Sequence, residues 1–222
     1  MAINKDVYLQ LAKDLMDKNV TLVAVSKTKP AEDILALYEL GQRDFGENYV
    51  QELVDKQALL PADIRWHFIG HLQSNKVRYT AGFVHLIHGV DSFKLLIEIN
   101  KQAAKFNRLI DCLLQVHIAQ EETKFGFNEE ELNDAVKQLP QLNNICITGF
   151  MGMASFTDDL EKVRSEFKYL RNLFDKYKQS QTANCKIKIL SMGMSGDYKI
   201  AVEEGSNIVR IGSLLFGERI YK

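Results

Sequence analysis

Residues 187–213 read IKILSMGMSGDYKIAVEEGSNIVRIGS. The segment opens with an apolar run at Ile187–Ser191, passes through a loop rich in glycine and serine, and continues into helical periodicity at 196–204. A second apolar run follows at Asn207–Ile211. The order strand, loop, helix, strand is typical of parallel strands, because these need a long crossover connection. The segment therefore predicts one βα unit of a parallel sheet.

The same alternation extends outward from this segment over the chain. An amphipathic helix comes first, with Ile3, Val7, Leu11 and Leu15 on one face. The predicted strands are Thr21–Ser26, Arg43–Gly46, Trp66–Ile69, Val84–Val90, Leu109–Ile118, Ile145–Phe150, Ile187–Ser191 and Asn207–Ile211. Helices are predicted near residues 31–40, 47–58, 73–80, 92–106, 128–139, 157–179 and 196–204, with a short one after Ser213. Such alternation predicts a parallel sheet covered by helices.

The repeat length favours a closed barrel over an open sheet. Dividing 222 residues by eight strands gives about 28 residues per unit, close to the roughly 30 of a βαβ element. An open, doubly wound sheet would usually carry a glycine-rich phosphate fingerprint, and the sequence has neither GxGxxG nor GxxxxGK[ST]. With three prolines and no linker-like block, residues 1–222 are expected to form one domain, a single (β/α)8 TIM barrel.

The composition excludes several classes of partner. The chain has 28 Lys and Arg against 29 Asp and Glu, so it carries no basic footprint for nucleic acid or an anionic membrane. It has no apolar run approaching roughly 18 residues, and its first residues interleave charges where a signal peptide would be apolar. Cys112, Cys146 and Cys185 lie far apart, which fits neither a disulfide framework nor a zinc site. We expect a cytoplasmic protein with buried thiols.

Lys27 is the first candidate for chemistry, since barrel active sites are built from the loops at the carboxyl ends of the strands. It ends an apolar strand, where its amine would be partly desolvated. An ordinary lysine has a pKa of about 10.4, so a nucleophilic lysine needs burial or a neighbouring cation, which Lys29 could supply. The alternative is that Lys27 simply extends to solvent.

Two later loops predict a phosphate site. Ser191–Gly196 and Gly212-Ser213 follow the seventh and eighth strands, and each precedes a helix. In barrels, phosphate commonly lies at these two loops, where backbone N–H groups converge. Asn48, after the second strand, could add a donor. The alternative is that these are ordinary turn residues.

Arg210 is the other unusual residue, because it lies within an apolar strand. Alternation places it on the same strand face as Ile208 and Gly212, which predicts that it faces the barrel interior. A buried guanidinium needs an acceptor. We expect either a carboxylate, such as Glu47 or Asp197, or a ligand.

Four stretches of the sequence resemble the pyridoxal phosphate homeostasis proteins, also called the YggS or PROSC family. They are Ala24–Pro30 (AVSKTKP), Phe45–Glu52 (FGENYVQE), Trp66–Lys76 (WHFIGHLQSNK) and Val209–Gly212 (VRIG). The resemblance covers about residues 21–219. It implies a (β/α)8 barrel of the alanine racemase N-terminal type that binds pyridoxal 5'-phosphate (PLP) as a Schiff base.

The resemblance also implies a role for each matching residue. Lys27 resembles the Schiff-base lysine, and Arg210 the partner of the pyridine nitrogen. The phosphate ligands are Asn48, Ser195, Gly212 and Ser213. Two departures occur: Ser213 replaces the usual threonine but keeps its hydroxyl, and residues 195–198 read SGDY where the family usually has Ser-Asp/Ala-Asp-Met/Leu.

An arginine at the pyridine nitrogen has a consequence for function. Its charge disfavours protonation of the ring, which weakens the ring as an electron sink. Related racemases compensate with a tyrosine from a second domain, for which 222 residues leave no room. We therefore expect a PLP-binding protein in the intracellular homeostasis of PLP and of amino and keto acids, without robust turnover. It would act as a monomer, with PLP-dependent apo-enzymes as acceptors.

Two other functions remain open from the sequence. One is an amino-acid racemase that uses His71 or Tyr49 as its base. The other is a Schiff-base aldolase without a cofactor. A metal enzyme is not expected, since His67 and His71 lie in a strand and the loop after it and so do not share a helical face.

Overall fold

A computed structural model describes residues 3–119, 125–179 and 181–217. Its eight strands close into a barrel in chain order, each parallel to its neighbours, with the last pairing with the first. The strands are β1 Thr21–Val25, β2 Asp44–Glu47, β3 Arg65–Phe68, β4 Leu86–Val90, β5 Ile110–Gln115, β6 Ile145–Met151, β7 Cys185–Ser191 and β8 Ile208–Ile211. The predicted (β/α)8 barrel is confirmed.

Helices precede the barrel and follow each strand. They are α1 Lys5–Met16, α2 Ala31–Glu39, α3 Val50–Leu59, α4 Val77–Thr80, α5 Phe93–Lys105, α6 Glu129–Gln138, α7 Leu160–Lys178, α8 Tyr198–Glu203 and α9 Ser213–Phe216. Short 3-10 turns precede α4 at Ser74–Lys76 and follow α6 at Leu139–Gln141. Among the described residues, no helix combines the length and the apolar character of a membrane span.

Strand alternation divides the apolar side chains into two groups. In β1, Leu22 and Ala24 pack against the helices, while Val23 points into the barrel. The inner apolar group consists of Val23, Leu86, Leu113, Met151 and Ile208. Ile208 therefore points inward, as does Arg210 two residues later, which is 4% exposed. The predicted inward position of Arg210 is confirmed.

Several predicted boundaries were wrong for local reasons. The helix predicted over 47–58 begins at Val50, because Glu47 remains in β2 and Tyr49 is extended. The helix predicted over 157–179 begins at Leu160, where the Asp159 carboxylate accepts hydrogen bonds from the backbone N–H groups of residues 161 and 162. The strand predicted over 109–118 ends at Gln115. The helix predicted over 73–80 is a 3-10 turn followed by the single α-turn of α4.

The first and last strands meet at one seam of the barrel. Val23 pairs with Arg210, and Thr21 with Ile208. Outside the sheet, the Asn4 backbone N–H donates to the Leu215 carbonyl oxygen at 2.8 Å. This seam brings the loop after β1 next to the loop after β8.

Elsewhere in the fold, the three cysteines are buried and unbridged, as predicted.

Candidate functional site

Lys27 lies in the loop directly after β1 and is half-buried. It continues the strand face of Val23 and Val25, so its position is at the mouth of the barrel. Thr28 turns the chain through the left-handed region, at φ 64°. The Ser26 N–H donates to the Gly46 carbonyl oxygen at 3.0 Å, which holds the start of the loop against β2. The predicted placement of Lys27 at the carboxyl end of a strand is confirmed.

Lys29 does not occupy the position that the sequence suggested. Two residues beyond Lys27, it would be expected further out toward solvent, as a cation able to influence Lys27. It is instead 8% exposed, and its Nζ donates to the carbonyl oxygen of Phe216 at 2.8 Å. The carbonyl groups at the end of α9 attract this ammonium. Lys29 therefore fastens the Lys27 loop to the segment after β8.

A buried ionic network supports the Lys27 loop from the outer side of the barrel wall. The Lys56 ammonium donates to Glu47 Oε1 at 2.7 Å and to Glu52 Oε1 at 2.6 Å. It also donates to the Ser26 carbonyl oxygen at 2.8 Å. The Ser26 hydroxyl donates to Glu47 Oε1 at 2.6 Å, and the Thr28 N–H donates to Glu52 Oε1 at 2.6 Å. One lysine of α3 thus joins the ends of β1 and β2.

Burial governs the protonation of Glu47 in this network. The side chain is fully buried, and this raises its pKa to about 7 although Lys56 and the Ser26 hydroxyl oppose the rise. Its second oxygen, Oε2, is buried without a hydrogen-bond partner in the part of the chain that the structure describes. From the sequence, Glu47 is only a candidate partner of Arg210. The feature of the sequence that could have indicated this network is the helical i, i+4 spacing of Glu52 and Lys56, which form an ion pair.

The two predicted phosphate loops meet at the mouth. The Gly212 N–H lies 3.4 Å from the Ser195 hydroxyl oxygen, to which it donates. Ser213 follows Gly212 and is exposed at the start of α9. A Cβ at Gly212 would lie 3.2 Å from the Val25 carbonyl oxygen, so glycine permits this loop to approach β1 closely. Ser195, Gly212 and Ser213 are therefore brought together on the β1 side of the mouth.

Asn48 lies at the same end of the barrel, after β2. Its Oδ1 is buried and has no hydrogen-bond partner among the described residues. Its backbone is in close contact with Gly70 in the loop after β3, where a Cβ would lie 2.4 Å from the Asn48 carbonyl oxygen. An amide group offers either a donor or an acceptor to a ligand, depending on which end faces it.

Arg210 reaches the mouth from inside the barrel. Its Nη1 donates to the Ser191 carbonyl oxygen at 2.9 Å and to the Ser191 hydroxyl at 2.6 Å. Its Nη2 donates to the Gly152 carbonyl oxygen at 3.1 Å. A carboxylate contact was one of two alternatives expected for Arg210. Glu47 does not supply it, because it points out of the barrel toward Lys56. Asp197 acts on Arg210 through its charge, without a hydrogen bond to it in the described part of the chain. Burial lowers the pKa of Arg210 to about 10, which leaves it cationic at neutral pH.

The two candidate racemase bases have different environments. His71 is 46% exposed, and its Nδ1 lies 2.9 Å from the Asp91 carboxylate. The ring of Phe125 stacks on it with centroids 4.5 Å apart. Tyr49 is 58% exposed. Of these two, His71 has the polar partner that could orient it as a base.

Comparison with known proteins defines the class first. The family model for the alanine racemase N-terminal domain matches residues 8–220. The alanine racemase of Bartonella henselae superposes with a TM-score of 0.72 at 17% identity, over 95% of this chain and 61% of that one. This likeness shows the fold alone. The structure is a barrel of the alanine racemase N-terminal class.

Closer relatives narrow the class to one family. The pyridoxal phosphate homeostasis protein of Aquifex aeolicus is 44% identical over 90% of this chain and 87% of its own. The Escherichia coli K12 protein of that name is 38% identical over 92% and 88%. PipY of Synechococcus elongatus, solved without PLP, has a TM-score of 0.90 at 36% identity, over 96% and 99%. This chain belongs to the pyridoxal phosphate homeostasis protein family.

Proposed function

We propose that this chain is one domain that binds PLP in the mouth of its barrel and takes part in PLP homeostasis. The observation that carries the proposal is the convergence of a half-buried lysine, two hydroxyl-bearing loops and a buried arginine at one end of the barrel. PipY has also been solved with PLP bound, and that structure matches with a TM-score of 0.85 at 36% identity, over 95% of this chain and all of that one.

The donor set suits the chemical groups of PLP. When bound, PLP supplies an aldehyde that condenses with a lysine amine and a ring that can accept electron density. Lys27 would provide the amine. The Ser195 and Ser213 hydroxyls and the Gly212 loop would hold the phosphate, with Asn48 at its side. Arg210 would donate to the pyridine nitrogen.

The same residues favour holding the cofactor over turnover. Arg210 is cationic and lies among carbonyl and hydroxyl acceptors, so it would oppose protonation of a ring nitrogen beside it. We propose that the protein holds PLP and hands it to PLP-dependent apo-enzymes, and so affects pools of amino and keto acids. It would do so as a monomer in the cytoplasm, where its three unbridged thiols would be stable.

Replacement of either serine by alanine should weaken PLP binding while a covalent adduct still forms. A lost hydrogen bond to a charged group is worth about 1.5–3 kcal/mol. We therefore expect the dissociation constant from equilibrium titration to rise by roughly one to two orders of magnitude for both Ser195→Ala and Ser213→Ala. The control is Ser165→Ala, in helix α7. Unchanged affinity in both test variants would contradict the phosphate assignment.

The alternative of a racemase rests on the pairing of His71 with Asp91. Proton exchange at the α-carbon, followed by NMR in heavy water on a panel of amino acids, separates the two functions. The PLP-loaded protein should show little or no exchange, because its ring is a poor electron sink. Exchange at ordinary enzyme rates, on the order of 1–10³ per second, that disappears in His71→Ala would favour the racemase.

A further inference from the structure

Five buried polar residues form a continuous hydrogen-bonded line through the barrel interior. Asp44 Oδ1 lies 3.0 Å from His67 Nε2, and His67 Nδ1 lies 2.9 Å from His88 Nε2. His88 Nδ1 is 3.0 Å from the Ser191 hydroxyl, which accepts from Arg210 Nη1 at 2.6 Å. The line begins at the amino end of β2 and ends at the proposed site.

The charges at the two ends favour one direction for the hydrogen bonds between them. Burial raises the pKa of Asp44, but hydrogen bonds from His67 and Arg65 outweigh this and lower it to about 2. Asp44 is therefore an acceptor, and His67 carries a proton on Nε2. At the other end Arg210 can only donate, so the single Ser191 proton is available to His88 Nδ1.

The states of Asp44 and Arg210 at the two ends also indicate where the proton of His88 lies. Burial lowers the pKa of His88 well below its usual range, so its ring is neutral. With Nδ1 accepting from Ser191, the proton of His88 lies on Nε2 and is donated to His67 Nδ1. All four bonds then run from Arg210 toward Asp44. In this arrangement every ring nitrogen of His67 and His88 has a hydrogen-bond partner.

Two further residues contact the line near its amino end. Arg65 forms an ion pair with Asp44 at 2.5 Å, and its side chain is 47% exposed. The ring of His85 packs against that of His67, with centroids 5.4 Å apart. Asp44 is thus held as a carboxylate by Arg65, while the His88 end of the line is fully buried.

A polar line in this place is not needed to fill the barrel. The neighbouring interior positions, Val23, Leu86, Leu113 and Ile208, are apolar. A buried polar network is tolerated only when every member is satisfied. The member of the line that reaches the mouth is Arg210, which is bound there by groups at the ends of β6 and β7. The line therefore meets the proposed site at Arg210.

We propose that His88 and Ser191 are positioning residues that hold the Arg210 guanidinium in place beside the ring nitrogen of PLP. His88 fixes the Ser191 hydroxyl as an acceptor for Arg210, and His67 and Asp44 fix His88. This rests on the proposed function, in which Arg210 contacts the pyridine nitrogen. Through Arg210, residues in the barrel interior would control the protonation of the ring.

The first test needs no cofactor. Nitrogen-15 NMR of the unloaded protein at pH 7 distinguishes the two neutral histidine tautomers from the doubly protonated form. We expect His67 and His88 both to be neutral, with the proton on Nε2. A proton on Nδ1 of His88, or a doubly protonated His88, would overturn the proposed direction of the line.

The second test measures the ring nitrogen itself. PLP labelled with nitrogen-15 in the ring is bound to each protein, and its chemical shift is followed against pH. His88→Leu and Ser191→Ala should raise the pKa of the ring nitrogen by about one unit, because a loosened guanidinium opposes protonation less. In His88→Asn the amide can still face Ser191, so the pKa of the ring nitrogen should stay at the value of the unaltered protein.

Thr148→Val is the matched control, because it removes another buried hydroxyl of the barrel, one that donates to the Cys112 carbonyl oxygen. Its ring-nitrogen pKa should equal that of the unaltered protein. An identical pKa in all four variants with PLP bound would overturn the positioning role and leave PLP binding intact. Failure of the unaltered protein to bind PLP would instead overturn the proposed function, while the tautomer measurement still tests the line.

Discussion

Replacing Lys27 with alanine should abolish the covalent labelling of this protein by PLP and borohydride. Lys27 is the half-buried lysine at the carboxyl end of β1, on the strand face that points into the mouth. An ordinary exposed lysine leaves fewer than about one amine in a thousand neutral at pH 7. At stoichiometric PLP, the other lysines should therefore not replace it. Visible absorbance and peptide mapping by mass spectrometry measure the loss.

Lys76→Ala is the control for this experiment. Lys76 is exposed in the turn after β3, near the same mouth, and should not affect labelling. A label that persists in Lys27→Ala, and maps to Lys29 or Lys76, would show that the proposed binding lysine is wrong. Phosphate binding by the Ser195 and Gly212 loops could then be tested separately with inorganic phosphate.

Replacing Lys56 with methionine should cause a large loss of stability. It would leave the fully buried Glu47 without its cation. Breaking a buried ion pair from one side costs about 3–5 kcal/mol. We expect a loss of this size in the free energy of unfolding at pH 8, measured by urea denaturation.

The loss should depend on pH in a defined direction. The pKa of Glu47 is raised by burial from 4.5 to about 7 in the folded protein. A raised carboxyl pKa favours the folded state below the unfolded pKa, and this contribution is lost as the pH rises through the folded value. Without Lys56 the pKa rises further. The deficit of Lys56→Met should therefore be smaller at pH 5 than at pH 8.

Two variants control this prediction. Lys137→Met removes an ion pair with Asp134, in which the Lys137 side chain is 74% exposed and the Asp134 side chain 61%. This variant should change the free energy of unfolding by less than about 1 kcal/mol. Adding Glu47→Gln to Lys56→Met removes the unpaired charge and should recover part of the loss. If Lys56→Met and Lys137→Met were equally stable, the buried network would contribute no more to stability than an exposed ion pair.

The barrel and the position of its mouth could be predicted from the sequence because they depend on local periodicity. Alternation in Asn207–Ile211 correctly directs Arg210 inward, and the two serine-bearing loops meet because they follow neighbouring strands. The helix boundaries depended on single caps, such as Asp159, and were less accurate.

The partners of the buried polar groups could not be predicted in the same way. His88 and Ser191 are 103 residues apart and lie on strands that are not neighbours. Their meeting depends on the stagger of the strands, which shifts register between β4 and β5 and again between β5 and β6. Lys29 was misplaced for a related reason, since its acceptor at Phe216 is 187 residues away.

The groups of the proposed site come from both sides of the seam between β1 and β8, so the site exists only when the barrel is closed. Lys27 comes from one side of the seam, while Arg210, Gly212 and Ser213 come from the other, and Lys29 spans it. A molecule in which these strands have separated has a lysine on one edge and the remaining groups on another, so with the proposed site it would have little affinity for PLP. By mass action, a ligand at a hundred times its dissociation constant favours the closed form by about 2.7 kcal/mol. The supply of PLP and the stability of the folded protein would therefore be thermodynamically linked.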